Sequence, residues 1–232
     1  MESMSATRTL VAAQEARQLF QNDTQSSLIL RFTNAHDAVP VSTIFSGAAK
    51  AEMDPQGRVR ERSFSDIVTP INNNRAFVAN DNRSQIRFVA ITSEYLDEDE
   101  PDAGFAELGA VMCNMGGYGL AQACISALAW RQNGQSQTAG QVYARVAEDN
   151  TPAIKIFTKH LGWNPAGYDE QRDELFKLHQ PTAHAKKNRM WFHFGEMAQA
   201  MAHERLSEIR DSGVLVHRDG RKLKVQLEGL DI

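Results

Sequence analysis

Three glycines within four positions, Gly116, Gly117 and Gly119, stand in the stretch VMCNMGGYGLAQACISALAW, residues 111–130. A glycine inside a helix costs about 1 kcal/mol against alanine. Their place directly ahead of an apolar run therefore predicts a turn whose backbone must stay bare, followed by a buried helix. A strand running into such a turn and then a helix aims several N–H groups and the positive end of the helix dipole at one point. That arrangement is an anion cradle. The P-loop version requires Lys-Ser/Thr after the last glycine, where this chain has Leu120 and Ala121. The dinucleotide version, G-x-G-x-x-G/A, fails at Gln122, which stands where the third small residue belongs.

The elements that must position this turn are legible from periodicity and punctuation. Residues 5–21 place Leu10, Ala13, Ala16, Leu19 and Phe20 at helical spacing, SLILRFTNA reads as a strand, and a helical patch follows Ser42 until MDPQG turns the chain. A short helix from Ser65 precedes two strands, RAFVAND and QIRFVAITSEY, which form a hairpin; GFAELGAVMC is the third strand. After the glycines a helix runs to about Arg131, with Gly134 as its stop. QVYARVAED is a strand, and a helix from Asn150-Thr151-Pro152 ends at Leu161-Gly162. The order over residues 75–163 is thus β-β-β-α-β-α. In the tail, RMWFHFG reads as a strand, residues 196–209 as a helix, and GVLVHRDGRKLKVQLEGL as a hairpin turning at Asp219-Gly220.

Bulk properties narrow the class. The chain has 232 residues, 42% hydrophobic and 23% charged, with a net charge of −4. These are the proportions of a globular domain and exclude a nucleic-acid role without a local basic patch. None is long enough, since Glu61 interrupts Arg58, Arg60 and Arg62, and Lys186, Lys187 and Arg189 are only three charges beside His184. The opening residues show neither a basic leader nor an unbroken apolar segment, and no stretch approaches the roughly 18 apolar residues of a membrane span. Cys113 and Cys124 form neither a disulfide framework nor a metal site. A cytoplasmic protein with no metal, no membrane and no nucleic-acid partner is expected. The acidic run EYLDEDEPDAG reads as a solvated hairpin tip, although it would also attract a cationic amine.

A third anion-binding plan is the pyrophosphate loop of the GCN5-related N-acetyltransferases (GNAT), Q/R-x-x-G-x-G/A at a strand-to-helix junction. NMGGYG, residues 114–119, resembles it, with Gly117 and Gly119 in place and Asn114 where Gln or Arg is usual. VYARVAEDNTPAIKIFTKHLGW, residues 142–163, is similar to the family's next strand and helix, with Asn150, Ala153, Phe157, Leu161, Gly162 and Trp163 at matching positions. The likeness covers about residues 75–165 and extends to the strand at 27–34. It implies a mixed α/β (α+β) fold: a mostly antiparallel twisted sheet, splayed at an acyl-CoA site and flanked by helices. The boundaries expected are a core over 1–165 and a C-terminal extension over 166–232 that completes the sheet, the acceptor site or a homodimer interface.

The resemblance also implies roles. The diphosphate of coenzyme A would lie on amides from Asn114 through Met115, Gly116, Gly117, Tyr118 and Gly119 to Leu120. Pantetheine would bond the main chain of the preceding strand over Val111, Met112 and Cys113, with Val111 and Cys113 as the candidate contacts. Asn150 would bond the cofactor arm or brace the splayed strand, or simply cap its helix. Family members often place a glutamate on the strand before the cradle as base and a tyrosine on the last helix as acid. Glu107, a carboxylate in an apolar strand, is the candidate base. Phe157 stands at the tyrosine position, so Tyr143 on the neighbouring strand becomes the candidate acid; Tyr118 and His160 are weaker ones, and water is the fallback. Cys113 has no legible His/Asp partner and reads as a small buried thiol. The expected activity is transfer of an acyl group, acetyl foremost, from acyl-CoA to a primary amine of a small molecule or peptide. A longer acyl donor or an acyl carrier protein is one alternative, favoured by Asn114; a non-catalytic acyl-CoA-binding regulatory module is another, favoured by Phe157.

Overall fold

Alternation in the strand Phe105–Cys113 sets the architecture. Phe105 and Glu107 face one side of the sheet and Ala106 and Leu108 the other; beyond Gly109 the parity inverts, so that Ala110 joins the first side. One extra residue does this: in the register with the preceding strand Ile91 pairs with Ala110 but Thr92 with Leu108, leaving Gly109 as a bulge.

A computed structural model describes residues 27–50, 62–97, 104–135, 138–180 and 188–232. The expected helix over 5–21, the MDPQG turn and most of the acidic tip lie outside these residues. In chain order the elements are β1 (Ser27–Phe32), α1 (Ala38–Ala48), α2 (Ser65–Asn72), β2 (Ala76–Asp81), β3 (Ile86–Tyr95), β4 (Phe105–Cys113) and α3 (Leu120–Gln135). There follow β5 (Val142–Ala147), α4 (Thr151–Lys155, continued by a π-turn over Ile156–His160), β6 (Asn164–Ala166) and α5 (Glu170–His179). The chain closes with β7 (Arg189–His193), α6 (Glu196–Ser212), β8 (Val214–Val216) and β9 (Lys222–Leu227). The nine strands form one sheet in the order β6-β7-β5-β4-β3-β2-β1-β9-β8. Only β4–β5 and β1–β9 pair in parallel. The fold is therefore the mixed α/β, mostly antiparallel arrangement that the sequence implies, and residues beyond 166 supply β7, between β6 and β5, and β9 and β8 at the opposite edge.

One face of the sheet is covered by α3, which is apolar nearly all round because α6 packs on its outer side. Leu120, Ala123, Cys124, Ile125, Ala127, Leu128 and Ala129 are buried, as are Ala198, Ala202, Leu206 and Ile209 at helical spacing on α6. Arg205 ties the layers by donating to Ser126 Oγ at 3.2 Å and to the His160 carbonyl at 2.6 Å. Each fully buried large apolar side chain contributes roughly 1.5–3 kcal/mol, so this layer is the main core.

The opposite face is covered in two separate pieces. Val41, Phe45, Ile67 and Ile71 of α1 and α2 pack on Val78, Val89 and Ile91; Leu175 and Phe176 of α5 pack on Tyr95, Phe105 and Trp191. Gly109 is exposed on β4, the strand on which both clusters draw.

Three sequence expectations need correction. Helix α3 does not stop at Gly134 but runs through it to Gln135. Helix α1 begins at Ala38 rather than after Ser42, because Asn34 and Asp37 form a capping box that starts helical turns earlier. Strand β6 and helix α5 have no counterpart in the sequence reading: β6 is three residues long, too short for a period. Among the described residues no helix is long and apolar enough to cross a membrane.

Candidate active site

Strands β4 and β5 run side by side only briefly. Ala106, Glu107 and Leu108 pair with Val142, Tyr143 and Ala144, and the pairing ends there although both strands continue. The bulge at Gly109 bends β4 at the point of separation, so the main chain of its last residues is unmatched on the β5 side. Asn114 donates its N–H to the Arg87 carbonyl of β3 at 3.1 Å. By alternation Met112 turns its main chain the same way, which leaves Val111 and Cys113 directed into the gap. Cys113 is exposed rather than buried as expected, because it ends β4 where no strand pairs on the β5 side; its thiol donates to the Met115 carbonyl at 3.2 Å, and partial desolvation by the surrounding chain raises its pKa above the ordinary value.

The gap opens onto the glycine turn. Gly117 and Gly119 have φ of 89° and 73°, in the left-handed region that only glycine enters cheaply. The first N–H groups of α3 lack intrahelical acceptors, as at any helix start. Around Gly116 a Cβ would meet nothing within 4 Å, and at Gly119 only Gln122 Oε1 at 3.8 Å. Gly117 differs: a Cβ there would lie 2.1 Å from Nε2 of His217, a residue a hundred positions away. The turn between β8 and β9 docks on the glycine loop. Arg218 donates its N–H to the Gly117 carbonyl at 3.1 Å, and the His217 ring meets that of Tyr118 with centroids 4.7 Å apart. Asp219 anchors the turn by pairing with His217 at 2.6 Å and Arg221 at 2.8 Å. Desolvation acts to raise its pKa, but bonds from the Arg221 N–H, His217 and the Arg221 guanidinium together overcome it and hold the carboxyl down at about 2. On the outer side, Tyr118, Gly119, Arg205, Ile209 and Leu215 line an open cavity of about 720 Å³.

Glu107 sits where β4 and β5 part, on the face opposite α3, and is 7% exposed. Tyr95 donates its hydroxyl to Glu107 Oε2 at 2.7 Å. A Cβ at Gly109 would lie 3.1 Å from that same oxygen and 3.2 Å from Arg62 Nη2, so Arg62 and Glu107 converge over the bulge glycine. Arg62 also lines a cavity of about 300 Å³ with Asp66, Arg75, Thr92, Ser93 and Glu94; Ser93 is the residue paired with Glu107 across β3 and β4. An ion pair joins Arg75 to Glu94 inside it.

The remaining candidates fall in different places. Tyr143 is opposite Glu107 in register, but its hydroxyl donates to Gln141 Oε1 at 2.8 Å; the hydroxyl on Glu107 is that of Tyr95. Phe157 is buried on the α3 side, edge-on to Trp163 and stacked with Phe192 at centroid distances of 5.0 and 5.9 Å. Asn150 Oδ1 accepts from the Ala153 N–H at 3.4 Å, the bond of a helix cap. His160 is exposed. Tyr95, Arg62 and His217 escaped the sequence reading because nothing local to them signals a partner. Among the described residues no group of three His, Cys, Asp or Glu side chains could hold a metal ion.

Chains of known structure share this architecture. A probable acetyltransferase from Staphylococcus epidermidis matches over 71% of this chain and 96% of its own at 10% identity, with a TM-score of 0.50. Diaminobutyrate acetyltransferase from Paenibacillus lautus matches over 72% and 93% at 13% identity and 0.48. A GNAT-family acetyltransferase from Streptococcus pneumoniae matches over 72% and 98% at 13% identity and 0.46. No family model and no curated protein matches the sequence. At these identities it is the fold alone that is shared, and the chain has the fold of the Staphylococcus epidermidis chain.

Proposed function

We propose that this protein is an N-acyltransferase that takes the acyl group of an acyl-CoA, acetyl-CoA first among them, and transfers it to a primary amine. The observation that carries the reading is the parting of β4 from β5 after Leu108 and Ala144, immediately before a glycine turn at a helix start. An extended pantetheine fits a gap whose one wall offers unmatched main-chain groups at Val111 and Cys113. A diphosphate fits the open amides at Gly116 and Gly119, with the first turn of α3 behind them.

In this reading Glu107 removes the proton of the acceptor ammonium, directly or through water, with Tyr95 fixing the carboxylate. The free amine then attacks the thioester carbonyl carbon; the C–S bond breaks as the C–N bond forms. Tyr143 serves as acid only on releasing Gln141, so we assign the last transfer to water, which takes the extra proton from the newly acylated nitrogen and delivers one to the departing thiolate. The buried, hydroxyl-free Phe157 supports a second reading, an acyl-CoA-binding module without turnover.

Gly116→Val tests the cradle with little cost to folding, since a side chain there meets nothing within 4 Å. Calorimetric affinity for acetyl-CoA and coenzyme A is expected to fall by about 100-fold or more, the loss of charge-assisted bonds worth roughly 3 kcal/mol. Unchanged affinity would remove the loop assignment. Thiol release against an amine panel separates the enzyme from the module.

A further inference from the structure

Arg145 is the residue on β5 just past its last pairing with β4, two positions beyond Tyr143 and therefore on the same face as Glu107. Its guanidinium carbon stands over two rings, 4.2 Å from the centroid of Phe176 and 5.5 Å from that of Trp191. Among the described residues it makes no ion pair and no hydrogen bond. The carboxylates whose charge it feels are otherwise engaged: Glu107 accepts from Tyr95, and Asp173 accepts from Trp191 Nε1 at 2.8 Å. Arg189 adds a second positive charge beside it.

A half-buried cation of this kind loses hydration and gains only the two ring faces in return, and burial lowers its pKa despite Glu107. An anionic ligand would supply the charge partner that the rings do not. Held over the rings and without a hydrogen bond, the guanidinium keeps its N–H groups for another acceptor, and its planar fork matches a carboxylate in bidentate fashion.

We propose that Arg145 binds a carboxylate of the acceptor, so that the amine acylated at Glu107 belongs to a small amino acid rather than to a simple amine. This rests on the acyltransferase reading and names its substrate class. Amine and carboxylate of one small molecule would span the two neighbouring strands, with the nitrogen over the point where β4 and β5 part and the carboxylate on the aromatic corner.

The test compares a panel of free amino acids with their carboxamides, in the wild-type chain, Arg145→Gln and Arg145→Lys. Binding is followed by calorimetry with and without coenzyme A, and turnover by thiol release. The wild type is expected to favour at least one free acid over its amide by about 30-fold or more, in affinity and in kcat/KM. Arg145→Gln should abolish that preference, the loss on the acids exceeding any loss on the amides by about the same 30-fold, while coenzyme A affinity is retained, and Arg145→Lys should keep part of it. Equal handling of acids and amides by the wild type overturns the proposal, whether or not coenzyme A binds. So does an Arg145→Gln enzyme slowed equally on acids and amides, the signature of a residue acting on the thioester. Failure to bind coenzyme A in any of the three proteins would instead overturn the acyltransferase reading, and the acid-against-amide titration would still decide Arg145.

Discussion

Replacing Gly117 by alanine probes the contact that joins the C-terminal hairpin to the glycine loop. The new Cβ must sit at a φ of 89°, which costs an L-residue about 1–2 kcal/mol. It would also stand 2.1 Å from His217 Nε2, so the ring has to leave. With the ring go its contact with Tyr118, worth about 0.5–1.5 kcal/mol, and the adjoining bond from the Arg218 N–H, worth about as much. The whole substitution should cost about 2–4 kcal/mol, a fall of roughly 5–15 °C in Tm for a domain of this size. The informative assay is a double-mutant cycle by urea denaturation. In a His217→Ala background the clash is gone, and Gly117→Ala should cost only the backbone part, about 1–2 kcal/mol. A coupling of about 1–2 kcal/mol is therefore expected between positions a hundred residues apart. If Gly117→Ala costs the same in both backgrounds within about 0.5 kcal/mol, the reasoning about His217 fails.

Glu107→Gln should lower kcat at neutral pH by about 100-fold or more, the usual contribution of a general base, while acyl-CoA affinity is retained; a rate equal to the wild type would clear Glu107 of that duty. For Asp37, burial acts to raise the pKa, but the bidentate bond from Arg31, at 2.8 and 2.9 Å, and the Asn34 N–H overcome it and hold it below the ordinary 3.8. Its contribution to stability is thus fully present above pH 3.8 and is lost as pH falls toward the lower folded value. The unfolding free energy should accordingly drop less between pH 5 and pH 2 in Asp37→Asn than in the wild type, and parallel curves in a denaturant series across that range would contradict it.

Features that depend on neighbours in the chain were legible in the sequence. The glycines at 116, 117 and 119 announced a bare-backbone turn at a helix start, Asn150 and Pro152 announced a helix N-terminus, and β2 to β5 followed from period-two runs and turn residues. Their physics is local: φ preferences, capping bonds and alternation act within a few residues. What tertiary structure alone decided is what those elements meet. A single bulge at Gly109 inverts the parity of β4 and separates it from β5, yet a bulge leaves no compositional mark beyond one glycine in a strand. The reason Gly117 cannot carry a side chain proved to include His217 on a distant hairpin, brought there because β9 pairs in parallel with β1. Tyr95 and Arg62 gather at Glu107, and Arg145 on its aromatic corner, through strand order and the packing of α5. Such partners are set by which surfaces close over one another, and closing them pays chain entropy that no short stretch of sequence encodes.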